Sequence, residues 1–308
     1  MRYAVETWDP SYGAAVETAS LDETPGEVDV DVEIPAAQWR PIAPSAPTAR
    51  LTVGFVDGIR RIDARVWIQD GDVTRPGVCA SVAAGLVVCP PGRGEEPAAI
   101  ADCLIGRGVF TPAGTEVGPI ATHHGTYQLH PTADDSAEKL YNGVHQLMTD
   151  LELEVSAAAA CELLVFDGPL RGRNRPGSVG YVKTQHVQYL PPELQGVLGR
   201  LGGGERTPVF LAGRNGRSRW SWYLRLPGPR SHPLSSIVRC ELPAVGTVAD
   251  AVAQADLVSG VLPRFASEPH KDPRAPQNLY PIAGLEQALR RRLGDALVLE
   301  RALRIAAA

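Results

Sequence analysis

An α/β fold with a mixed central sheet flanked by helices is what the sequence predicts, and three observations carry the prediction. Apolar or alternating runs at residues 51–56, 62–68 and 78–88 follow one another with short links, as strands of an antiparallel meander do. A long amphipathic stretch then starts at Ser136, with Leu140, Val144, Leu147, Leu151 and Val155 at helical spacings and an alanine run to Ala160. A short, continuously apolar strand at 163–166 comes directly after it. Three strands, a helix and a strand is the order of an RNase H-like core, although fold order alone licenses no function.

The remaining elements can be taken along the chain. Residues 1–50 are rich in Pro, Ala and acidic side chains and read as an N-terminal arm, with a weak alternating segment at 28–34 that fits an edge strand; 51–308 read as the main domain. Beyond the core order, additional β elements are expected at 180–184, 209–212, 219–226 and 237–242. Thr247 is placed to cap a helix running through Leu262, and Pro281 opens a last helix whose surface includes Arg290, Arg291 and Arg292. Gly202, Gly203 and Gly204 read as a turn, since no Lys-Ser/Thr follows to make a phosphate loop.

Composition narrows the function classes. With 44% hydrophobic and 21% charged residues the chain is of the globular type, and no apolar run approaches the roughly 20 residues needed to span a bilayer. The first residues show no signal-peptide core, so a cytoplasmic, membrane-free protein is expected. Five scattered cysteines without a Cys-x-x-Cys pair argue for buried thiols rather than a disulfide framework or zinc knuckle. A formal net charge of -5 speaks against nucleic acid at first, but clustering counts for more than the total. Arginines gather at Arg60 and Arg61, at Arg171, Arg173 and Arg175, at Arg214, Arg217 and Arg219, and at 290–292. Trp220, Trp222 and Tyr223 lie among Arg214, Arg217, Arg219 and Arg225, and their alternation fits a packed core or dimer face better than a base-stacking platform.

Chemistry enters with two Asp-Gly pairs, Asp57-Gly58 and Asp167-Gly168, each after a buried apolar run. Either alone is an ordinary turn signal. If the two strands are neighbours, the carboxylates converge, and two like charges without a cation would oppose each other's ionisation, so a divalent metal is implied. A third oxygen ligand should come from the intervening helix, where Glu152 and Glu154 flank the end of the apolar stripe. Hard oxygen ligands suit Mg²⁺ or Mn²⁺ and phosphodiester cleavage. Lys183, after a buried strand, is placed to meet a scissile phosphate. The histidines show no ligand spacing, and His123 and His124 lie in a Gly- and Thr-rich loop.

At these residues the sequence resembles the NurA nucleases. The resemblance runs from about Trp39 to Asp295 and rests on Phe55-Val56-Asp57-Gly58, on Leu164-Val165-Phe166-Asp167-Gly168-Pro169-Leu170, on Val179-Gly180-Tyr181-Val182-Lys183 and on Asn278-Leu279-Tyr280-Pro281 with Leu285 beyond it. It implies an Mn²⁺-dependent (or Mg²⁺-dependent) nuclease acting on single- and double-stranded DNA in end processing, a homodimer, and a hexameric HerA-type ATPase as partner. It also implies that Asp57, Asp167 and a helical acid, placed at Glu152, hold the metal, with Tyr280 near the site. Lys183, Arg171, Arg173 and Tyr280 are then the expected DNA contacts. Two departures stand out: Ile59 and Pro169 occupy positions that often carry Ser, and Leu289 stands where family members commonly carry a His. His270 and Glu286 are the candidates to replace that histidine. Two other readings share the acidic site: a catalytically impaired DNA-end-binding or assembly subunit, and an RNase H-like nuclease acting on RNA or a hybrid.

Overall fold

The computed structural model describes residues 2–5, 27–45, 51–92, 97–114, 117–173, 175–183, 188–213, 218–230 and 234–307. Strands β1 (Arg2–Val5) and β2 (Glu27–Asp29) precede a meander of three long strands, β3 (Val53–Asp70), β4 (Val73–Cys89) and β5 (Ala99–Thr111). A small hairpin of β6 (Ile120–Thr122) and β7 (Gly125–Pro131) leads to helix α1 (Ala137–Ala157), followed by β8 (Leu163–Asp167) and β9 (Ser178–Val182). After the short α2 (Gly196–Arg200) come β10 (Phe210–Gly213), β11 (Arg219–Arg225) and β12 (Ile237–Pro243), then α3 (Val248–Val261), α4 (Tyr280–Leu293) and α5 (Ala296–Ala307).

The strands join one mixed sheet in the order β2-β10-β11-β12-β9-β8-β3-β4-β5-β7-β6, with β1 beside the far end of β3. Pairs β3–β8, β8–β9 and β5–β7 are parallel and the other pairs antiparallel. The α/β fold and the RNase H-like order expected from the sequence are therefore present. Two elements differ from the reading. Residues 51–56 and 62–68 are not separate strands: β3 runs 18 residues through both, because Asp57 and Gly58 stay extended and pair with Gly85 and Ala84. The third strand of the meander is accordingly β5, whose charges and glycines hide its alternation. The terminal helical region likewise divides at Gly294 (φ 82) into α4 and α5.

Side-chain alternation sends successive residues of β3 to opposite layers. Phe55, Ala83 and Val87 pack under Leu285 and Leu289 of α4 and Val258 of α3. Val56, Ala84 and Leu86 face Val155 of α1, and Val78, Ala80 and Val82 face Leu140, Val144 and Met148 of the same helix. Ser136 caps α1 by accepting from the Lys139 amide at 3.3 Å, and Thr247 and Asp250 form a reciprocal capping box on α3.

Part of the expected arm is built into the sheet. Strand β2 pairs with β10 at the edge, Trp39 is buried against Phe210, and Glu33 receives both terminal nitrogens of the buried Arg206 at 2.8 and 2.9 Å. Residues 6–26, Thr184, Arg214 and Arg217 lie outside the described residues. Trp222 is wholly buried and donates to Ser259 Oγ at 3.0 Å, so this aromatic stretch belongs to the core, as expected. Among the described residues no helix is long and apolar enough to cross a membrane.

Candidate active site

Strands β3 and β8 are paired in register from Val53 opposite Leu163 to Val56 opposite Phe166, which makes Asp57 and Asp167 the next residues on two parallel neighbours. There the sheet splits. The chain leaves β8 at Gly168 (φ 101), while β3 continues, and among the described residues no strand pairs with that edge of β3 from Asp57 to Arg65. Carboxyl ends of parallel strands are where open α/β sheets commonly take ligands.

Asp57 shares its face with Phe55 and therefore points toward α4, where Glu286 is carried. One carboxylate oxygen each from Asp57, Asp167 and Glu286 lies within 4.8 Å of the others, close enough to share one cation. Each has a different partner. Asp57 Oδ1 accepts from the Gly58 amide at 2.8 Å, but its Oδ2 is buried with no hydrogen-bond partner. Asp167 Oδ2 sits 2.6 Å from Lys183 Nζ. Glu286 takes both terminal nitrogens of Arg274, at 3.1 and 2.6 Å. Burial, then the charge of Asp167, pushes the Asp57 carboxyl well above the usual carboxylate range. Burial also raises Asp167, with Lys183 pulling the other way.

The motif around Asn278 explains the lysine's aim. Asn278 is wholly buried at the approach to α4, its Oδ1 accepts from Lys183 Nζ at 2.8 Å and its Nδ2 donates to Asp272 Oδ2 at 2.6 Å. Tyr280 opens α4 half-buried, with Lys271 Nζ 5.1 Å from its ring centroid. Leu289 packs on Gly85 in the core, so its position offers hydrophobic packing and no ligand. Glu286, one turn earlier on the helix, offers the carboxylate instead. His270 is exposed and faces Glu268 at 3.5 Å.

The helical acid is placed differently from the expectation. Leu140, Val144, Met148, Glu152 and Val155 form the buried stripe of α1, so Glu152 lies within the apolar face rather than at its edge, and Glu154 is exposed. Glu152 reaches the opposite face of β3 from Asp57. A Cβ on Gly58 would stand 2.5 Å from Glu152 Oε1 and 2.7 Å from Met148 Cγ, so this glycine is required by close packing and not by a turn. Glu152 forms a buried ion pair with Arg173, whose guanidinium also stacks 4.8 Å over Phe166. Arg173, expected at DNA, is thus only 4% exposed and committed to the interior. Arg175 caps α1 by donating to Ser156 and Ala159 carbonyls at 2.9 and 2.5 Å. Arg171 is exposed, in the loop between β8 and β9.

Sequence reasoning missed Arg274 and the work of Asn278, because neither lies in a spacing that announces a partner. Glu286 had a legible signal: it sits four residues after Ile282 and three before Leu289, beside the buried face of α4.

The NurA domain model matches residues 132–290 of this chain. The structure is similar to the crystal structure of the NurA nuclease from Sulfolobus solfataricus, at 10% sequence identity and a TM-score of 0.50, covering 84% of this chain and 86% of that one. No curated protein matches significantly.

Proposed function

Because this chain belongs to the NurA family, we propose that it is a divalent-metal-dependent nuclease that hydrolyses DNA at the split between β3 and β8. The observation that carries the reading is Asp57 Oδ2, a buried carboxylate oxygen with no hydrogen-bond partner, beside two further carboxylates within 4.8 Å. A native interior leaves few such atoms unsatisfied. An all-oxygen donor set of this kind fits Mn²⁺ or Mg²⁺.

Asp57, Asp167 and Glu286 would hold the ion. When bound, it supplies Lewis acidity at the scissile phosphate and a stronger nucleophile from water. Three ionised carboxylates set against Lys183 and Arg274 leave one negative charge in excess, which a divalent ion converts to one positive charge, the sign a phosphodiester needs. Lys183, fixed by Asn278, keeps Asp167 oriented and presents an ammonium at the rim for a phosphate oxygen. Arg274 holds Glu286 in the same way. Glu152, behind Gly58, keeps the strand and the following loop in place through Arg173, and Tyr280 borders the site from the start of α4.

The family resemblance extends the proposal to a homodimer working in DNA end processing with a hexameric ATPase, which would supply the motor. The test is cleavage of matched end-labelled DNA, RNA and hybrid with Mn²⁺, Mg²⁺ or chelator. DNA cleavage that requires the metal supports the reading. Cleavage confined to RNA or hybrid redirects it, and DNA binding without cleavage under any metal makes the chain an end-binding subunit.

A further inference from the structure

The segment between α3 and α4 has little regular structure but is firmly tied. Its turns follow one another: the Asp272 amide donates to the Glu268 carbonyl at 3.1 Å, Ala275 to Asp272 at 3.1 Å and Asn278 to Arg274 at 3.0 Å. Tyr181, paired with Asp167 across β8 and β9, donates its hydroxyl to the Gln277 carbonyl at 2.7 Å.

Within this segment Asp272 is buried, and its two oxygens lead to different carboxylates of the acidic centre. Oδ1 accepts from the Arg274 amide at 2.7 Å and lies 3.7 Å from Arg274 Nε, which leaves the two terminal nitrogens to Glu286, at 3.1 and 2.6 Å. Oδ2 accepts from Asn278 Nδ2 at 2.6 Å, and Asn278 Oδ1 accepts in turn from Lys183, which holds Asp167. A turn needs only the contact with the Arg274 amide. The contact with Asn278 sets a polarity. A carboxylate only accepts, so it receives the donor end of the Asn278 amide and leaves the acceptor end facing the lysine. An amide at 272 has one oxygen for two donors, so it must turn an NH₂ group on either the Arg274 amide or Asn278.

We propose that Asp272 is a positioning residue for the metal: from behind the centre, one carboxylate aims both cations that hold Asp167 and Glu286, and so fixes the spacing of the carboxylates that share the ion. The proposal rests on the nuclease reading, in which that ion is divalent and bound by Asp57, Asp167 and Glu286. Groups that orient metal ligands are worth about 10–100-fold in metal affinity or activity. Asp272 serves two ligands at once, through Arg274 on one side and through Asn278 and Lys183 on the other.

The test is calorimetric titration of Mn²⁺ into the metal-free full chain, with folding followed by circular dichroism. Asp272→Asn keeps the size of the side chain and is expected to bind Mn²⁺ about 10–100-fold more weakly. Combining it with Asn278→Asp exchanges donor and acceptor across the contact: the substituted amide donates to the substituted carboxylate, whose other oxygen faces Lys183. This exchange is expected to recover most of the lost affinity, a recovery that requires the chain to Lys183. Wild-type affinity in folded Asp272→Asn, or no recovery in the exchange, would overturn the proposal and leave the nuclease reading standing. Where Asp272→Asn does not fold, Asn278→Ala cuts the chain to Lys183 alone; a loss of about tenfold supports the proposal and an unchanged affinity overturns it. Wild-type protein that binds no Mn²⁺ overturns both readings.

Discussion

Two buried aspartates on the same strand, Asp57 and Asp63, face opposite fates. Asp63 is the extra residue of the bulge in β3 between Ile62 and Ala64. Its carboxylate accepts from Arg61 Nε at 2.8 Å, Ser81 Oγ at 2.5 Å and Tyr127 OH at 2.9 Å, which accounts for its charge within the fold. Asp57 is as hidden from solvent but has one oxygen without a partner and two more carboxylates beside it. Burial therefore does not separate an architectural carboxylate from a reactive one. What separates them is whether the protein completes the hydrogen bonding or leaves it open to a ligand.

The sharpest way to break this comparison is to remove each charge and read activity and stability together. Asp57→Asn and Asp167→Asn are each expected to lose DNA cleavage by more than the roughly 10–100-fold typical of residues standing behind a metal site, with circular dichroism retained and a metal-free melting temperature no lower than wild type. Near-wild-type turnover in either folded variant would sink the assignment. Asp63→Ala should do the reverse. It strands the Ser81 and Tyr127 hydroxyls and the Arg61 guanidinium, costing about 3–5 kcal/mol in denaturant unfolding, while any molecules that remain folded cut DNA normally. On the helix, Glu152→Gln leaves Arg173 buried without its countercharge and should cost about 1–3 kcal/mol, whereas exposed Glu154→Gln should stay within about 0.5 kcal/mol.

The smallest effect carries a sign. Asp57 has its folded pKa raised above the unfolded value, so ionisation is harder in the folded state. In metal-free protein that penalty is absent below the ordinary carboxylate range, grows as pH rises toward the raised value and is constant above it. Asp57→Asn should therefore raise the melting temperature of the metal-free protein at neutral pH and lose the advantage in acid. Adding Mn²⁺ should stabilise the wild type more than the variant. A variant less stable than wild type at neutral pH without metal would show that Asp57 is satisfied after all.

Much of this contrast was legible in the sequence, but not all of it. Two apolar runs ending in Asp-Gly pointed to convergent carboxylates, because parallel neighbours place their ends together. The same dipeptide misled as the end of a strand: the pairing of Asp57 with Gly85 and of Gly58 with Ala84 carries β3 straight through it. Glu152, preferred to Glu154 as the helical ligand, is the buried one of the two, but it is paired with Arg173 through a loop whose path no spacing reports. Glu286 was named only as a replacement for a missing histidine. The register of α4 against β4, which sets Leu285 and Leu289 on Gly85, is what brings it to Asp57.

Gly58 has a consequence for how such a chain can vary. With Glu152 Oε1 2.5 Å from where its Cβ would be, the two positions are tied as lock and key in opposite parts of the sequence, 94 residues apart. A side chain at 58 is tolerable only in a lineage that has first shortened residue 152, and shortening residue 152 releases Arg173 and with it the loop that presents Arg171. Drift at this glycine would thus be inherited as a change in the path of that loop beside the acidic centre, and positions 58, 152 and 173 should change together or not at all.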